Sequence, residues 1–245
     1  MLLRTIIPVL AVLVLSLGTA VQTEAGTMTD ETALTEREKS IVVISAFTAS
    51  GDLERLKPAL NAGLDAGLTV NEIKEVLVQM YAYAGFPRSL NGLGTFNAVT
   101  DERKARGIVD EVGREASPVP ADMDKDAYGA KVRAQLVGLE KDISGLPWQV
   151  FSPTIDIFLK EHLFADIFAR DVLNHREREL ATIGALAAMR GTQSQLRSHL
   201  GISLNAGLTP SQLRDFTEVI EMRVGHEEGE SAKAELTAVL DARKQ

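Results

Sequence analysis

One helical unit is written twice in this chain. Leu34-Thr35-x-Arg37-Glu38 returns as Leu173-Asn174-x-Arg176-Glu177, and Ala66-Gly67-Leu68-Thr69 returns unchanged as Ala206-Gly207-Leu208-Thr209. Between these marks Leu56, Leu60 and Leu64 answer to Leu196, Leu200 and Leu204, one residue out of step with the opening match, so a single insertion falls before Gly191. A repeat of this length is a supersecondary unit that cannot bury its apolar face alone and needs its twin. From Leu34 onward apolar residues recur at steps of three and four, and glycines stand at segment ends rather than in hairpin dipeptides. The expected fold class is therefore all-α, built on two tandem copies.

The first copy, 34–104, divides readily. Thr35-x-x-Glu38 has the form of a capping box and opens a helix to about Ser50, where Gly51 breaks it. Leu53 to Ala66 follows, capped by Gly67, and Thr69-x-x-Glu72 starts a third helix to Tyr83. Gly85-Phe86-Pro87 punctuates, and Arg88 to about Lys104 is a fourth. Residues 105–153 are expected as a linker, with Pro118 and Pro120 among acidic residues and one short helix from Tyr128 to Leu139. The second unit, 154–240, opens with a stripe of Ile155, Phe158, Leu159, His162, Leu163, Ile167 and Phe168 that has no counterpart before the first copy. That stripe predicts an extra helix packed on the second copy.

Composition narrows the function. With 245 residues, 45% hydrophobic and 24% charged, the chain can bury a real core, and a net charge of −8 argues against nucleic acid or anionic membranes as partners. There is no cysteine, which removes disulfides, thiolate metal sites and thiol redox chemistry by this chain. The four histidines, His162, His175, His199 and His226, show no HxH or HxxxH spacing, so no preformed local metal site is expected. At the start, Arg4, the apolar run Ile6 to Leu17 and small residues after it predict a secretory signal over 1–25, cleaved near Ala20 or Ala25. The run is short for a membrane span, so a secreted or periplasmic protein without stable membrane insertion is expected.

The chemistry concentrates in Arg176 to His199. Glu179, Ile183, Leu186 and Arg190 share one helix face; beyond Gly191, Thr192, Gln195, Leu196 and His199 line one side of the next. Antiparallel pairing of those helices brings His199 beside Glu179, and a carboxylate against an imidazole is a proton-transfer pair. The plainer alternatives are that Glu179 complements its helix end or pairs with Arg176 or Arg178, and that His199 is a satisfied core residue. Only the second copy can host the pair, because Ser40 and Ala59 stand at the matching positions of the first. Tyr81 to Asn91, YAYAGFPRSLN, faces EMRVGHEEGES at the same point of the second copy. Its Tyr83 (or Tyr81) hydroxyl and Arg88 are candidates to wall a shared pocket and hold a carboxylate, against the reading that they fill the core and cap a helix. Gln195, Arg197 and His162 complete the candidate substrate contacts.

The motifs AGLT before a helix, YAYAGFPRSLN, RERELATIGALAA and QLRSHLG together resemble carboxymuconolactone decarboxylase-like proteins with two fused domains, over nearly all of Leu34 to Leu240. The same superfamily holds the AhpD-like alkylhydroperoxidases. The resemblance implies an AhpD-like helical fold, trimers or hexamers, and Glu179 and His199 as the acid and histidine of a proton relay. The peroxidase branch carries a CxxC pair where this chain has Thr192 and Gln195, and related two-domain proteins carry a cysteine where it has Ala84. What the resemblance leaves is cofactor-free chemistry: decarboxylation of a small carboxylated lactone. A non-catalytic binding protein on the same fold is the alternative, and a peroxidase is disfavoured for want of a thiol.

Overall fold

The computed structural model describes residues 33–244, and every regular element among them is helical. The signal segment expected over 1–25 lies outside the described residues. The first copy is α1 (Glu36–Ser50), α2 (Leu53–Asp65), α3 (Val70–Ala84) and α4 (Phe86–Ala105). An insert follows: α5 (Lys125–Val137), α6 (Pro147–Phe151) and α7 (Pro153–Phe158), which runs on as a π-helix, Leu159–Ile167. The second copy repeats the first four as α8 (His175–Ala188), α9 (Gln193–Asn205), α10 (Pro210–Arg223) and α11 (His226–Ala242). Among the described residues no helix is long and apolar enough to cross a membrane.

Capping sets the helix starts. Thr35 with Glu38, Thr69 with Glu72, Asn174 with Glu177 and Thr209 with Gln212 all close reciprocal boxes, so the same two helices of each copy begin the same way. These caps also tie the copies together. Arg37 donates to Glu177 and, at 2.6 Å, to Glu72; Arg176 donates to Glu38 at 2.6 Å and to Gln212 at 3.2 Å. Each copy's capping glutamate thus accepts from the other copy's arginine. Burial opposes ionisation of Glu38, yet the Thr35 backbone and Arg176 hold its carboxyl below the usual range.

The seam between copies is α1 against α8. Their arginine and glutamate ends meet at one level and Val42 and Ser45 meet Gly184 further along, so the two helices run side by side in the same sense. One apolar core draws on both copies, with Ile41, Val42 and Ile44 of α1 beside Leu180, Ile183 and Leu186 of α8, all buried. At Gly184 a Cβ would lie 2.6 Å from the Val42 carbonyl oxygen and 2.4 Å from Ser45 Oγ. Backbone cannot yield as a side-chain tip can, so Gly184→Ala is expected to cost about 1–3 kcal/mol. Gly94→Ala, where nothing lies within 4 Å of the new methyl, is the control; it should gain about 0.5–1 kcal/mol from helix propensity. Urea unfolding of both variants checks this: equal shifts would show that the seam is not tight.

The extra helix departs from its expected form and place. Its second half is π-helical, and the wider turns spread Leu163, Phe164, Ile167 and Phe168 over a face that packs on Val132 and Leu136 of α5. Strict three-and-four spacing of the apolar stripe hid that widening. Rather than lying mainly on the second copy, the segment pairs with α5 and touches α3, while Tyr81, Tyr83 and Ile202 pack against the same small core. The linker before α5 is pinned as well, since Glu111 and Val112 carbonyls accept from the Val70 and Asn71 amides at 2.9 Å.

Candidate active site

Glu179 lies in the second turn of α8 and is wholly buried, because α8 is covered by α1 on one side and by α3 and α9 on others. The Gly191 break turns the chain back, and Thr192 ties off α8 by donating to the Leu186 carbonyl at 2.7 Å. The returning α9 then sets His199 Nδ1 2.8 Å from Glu179 Oε2. The imidazole is mostly buried. A carboxylate on Nδ1 takes the Nδ1–H and leaves Nε2 as the basic atom, so the contact selects one tautomer and stabilises the ring when it charges. The other carboxylate oxygen, Glu179 Oε1, has no hydrogen-bond partner among the described residues although it is sealed from solvent. A buried oxygen left open in this way is a natural acceptor for a ligand hydroxyl or a water.

Tyr83 completes the group. Its ring meets the imidazole edge-on, 6.0 Å between centroids, and its hydroxyl lies 3.1 Å from Thr182 Oγ1. Burial, and then the Glu179 charge, push the Tyr83 phenol far above its ordinary range. A raised folded value leaves stability intact below about pH 10, where the unfolded chain also keeps its phenol neutral, and removes it as pH rises above that. The stability difference between wild type and Tyr83→Phe should therefore shrink in alkaline urea titrations; parallel curves from neutral pH to pH 11 would refute the burial of that phenol.

Beneath Tyr83 runs a polar stripe that the sequence reading passed over. Glu75, Gln79 and Tyr83 stand at i, i+4 and i+8 on α3 and meet Arg178 and Thr182 on α8. Gln79 Nε2 donates to the Arg178 carbonyl at 2.9 Å and to Thr182 Oγ1 at 3.0 Å, while its Oε1 accepts from Arg178 at 3.0 Å. Glu75 takes the Arg178 guanidinium at 3.1 Å and Arg170 at 2.6 Å. Burial pushes the Arg178 guanidinium down, and Glu75 opposes that shift. The signal was present in the spacing: three polar residues recur on a face otherwise made of Ile73, Val76, Leu77 and Met80.

The remaining candidates are not drawn to the pair. Arg88 turns to the end of α1 and donates to the Ala49 carbonyl. Arg197 lies exposed and donates to Glu235 at 2.5 Å. Gln195 is exposed and accepts from Ser194, and His162 is exposed with Asp166 at 3.2 Å. Arg88, Gln195, Arg197 and His162 are thus each engaged with their own neighbours, and of the candidate substrate contacts Tyr83 is the one whose ring meets the imidazole. A groove of about 810 Å³ is lined by α2 and α4 residues such as Pro58, Asn61 and Arg106, away from the pair.

Fold and site together define a tandem-repeat helical protein with one buried acid and imidazole pair, formed in the second copy only. The chain belongs to the carboxymuconolactone decarboxylase family, whose pattern matches residues 17–98 and 153–238, once per copy. The first match begins inside the segment expected as a leader. No match was found among curated proteins.

Proposed function

We propose that the protein is a cofactor-independent lyase that works by proton transfer on a small carboxylated lactone or related acid. His199 is the acid–base group and Glu179 the residue that fixes its tautomer. The observation that supports this is the 2.8 Å contact between Nδ1 and a fully buried carboxylate. In such a reaction CO2 leaves without its bonding pair, and the electron-rich carbon takes a proton from the charged imidazole at Nε2. The low-dielectric surroundings of Tyr83 and the core favour that loss of charge. Export to the periplasm or beyond, and assembly as a trimer or hexamer, belong to the same reading. Exposed Trp148, Val150, Phe151, Ile155 and Phe158 on α6 and α7 offer apolar surface for self-association.

A second reading is a non-catalytic binding protein on the same fold. It is favoured by the commitments of Arg88 and Arg197, which leave the proposed anion without either expected cation. Turnover of carboxymuconolactone-like acids by the purified protein, set against His199→Ala, separates the two. Binding without turnover in either form sinks the enzyme.

A further inference from the structure

At the corner between α10 and α11 a second imidazole and two carboxylates converge. One ligand atom each from Glu221, His226 and Glu230 lies within 4.8 Å of the other two. The corner is built for this approach. Gly229 faces the α10 backbone so closely that a Cβ there would lie 2.5 Å from Glu221 Cα, and only a residue without a side chain lets α11 lean on α10 at Glu221. His226 and Glu230 stand four residues apart on α11, so they share the face that leans in. His226 Nδ1 already lies 3.0 Å from Glu221 Oε1. The same corner in the first copy is made from Tyr81, Phe86 and Leu90, with the Tyr81 and Phe86 rings stacked at 4.7 Å, so the polar triad is peculiar to the second.

We propose that Glu221, His226 and Glu230 form a binding site for one divalent transition-metal ion of the Zn2+ type. One imidazole nitrogen and two carboxylate oxygens suit zinc or cobalt better than the all-oxygen shells of calcium or magnesium. Arms of about 2.1 Å at tetrahedral angles set ligand atoms roughly 3.4 Å apart, so small rotations of exposed side chains close the present spacing. Lys233 now occupies the position of the cation, with Nζ 2.5 Å from Glu221 and 3.0 Å from Glu230. A metal must displace it, and the ammonium is the competitor built into the site. The partial positive charge at the start of α11, about half a unit, opposes a cation but is outweighed by two carboxylates.

Calorimetric titration of the chelator-treated full chain with zinc chloride tests the site. One saturable event per chain is expected, absent with magnesium chloride at the same concentrations. His226→Ala should weaken it at least about tenfold, a loss of the size that ligand-shell changes produce. Lys233→Ala should tighten it by removing the competitor, and His199→Ala should leave it unchanged. Lack of saturation with zinc, unchanged binding in His226→Ala, weaker binding in Lys233→Ala, or loss of binding in His199→Ala that keeps the wild-type circular dichroism each overturns the assignment. Because the last of these would place the metal at the buried pair instead, the test stands apart from the proposed lyase activity.

Discussion

Turnover by a His199→Ala variant is expected to fall by about 10²–10⁴-fold, the usual contribution of a positioned acid–base group. On the proposed lyase reading the loss should appear in kcat rather than KM, because Nε2 would then act on the moving proton and not in holding the substrate. Removing the ring also leaves the Glu179 carboxylate buried without its partner at 2.8 Å, so the variant's fold has to be checked by its circular dichroism and melting. Glu179→Gln is the companion. Its amide oxygen can still accept from Nδ1–H, so the ring stays oriented while the charge that stabilises imidazolium is gone. Reduced turnover in both, with folded proteins, supports the pair acting as a unit. Equal turnover in wild type and His199→Ala would remove His199 from the chemistry.

The largest expected loss of stability comes from Glu75→Leu. Arg178 has no solvent-exposed side-chain surface, and Glu75 is the carboxylate that balances it, at 3.1 Å. A buried charge stripped of its partner costs about 3–5 kcal/mol, a large part of the stability of an ordinary domain. Arg178 would keep the Gln79 and Arg170 carbonyl contacts, which satisfy hydrogens but do not neutralise charge. Adding Arg178→Met to Glu75→Leu should restore most of the loss, since an apolar pair of similar size no longer needs compensation. Denaturant midpoints of the two single variants and the double give the coupling directly. Additive losses would mean that the two groups do not depend on each other.

Much of the helical framework could be read from local signals. The capping residues Thr35 and Thr69, the breaks at Gly51, Gly67 and Gly85, and the duplicated AGLT are short-range features, and each helix start follows from hydrogen bonds within four residues. The Glu179 and His199 contact was legible because one break separates their helices. Pairings between copies were not. Arg37 with Glu177 and Arg178 with Glu75 join residues far apart in sequence, and nothing local says which charge an arginine will meet. The present partners of Arg88 and Arg197, the Ala49 carbonyl and the Glu235 carboxylate, were invisible in spacing for the same reason. The π-helical turn escaped because its wider period is too short a run to show against a three-and-four stripe.

The two copies keep matching charge contacts across their seam, Arg37 to Glu177 and Arg176 to Glu38, and even Lys39 to Asp215 at 3.6 Å where the other side has Arg178 to Glu75. Yet Ser40 and Ala59 occupy the places of Glu179 and His199. The scaffold contacts are kept in both copies, whereas the acid and imidazole stand in the second alone. A single polypeptide is therefore a pseudo-dimer in which one half carries the acid and imidazole pair, and a small molecule that binds that pair should saturate at half the stoichiometry that the internal repeat suggests.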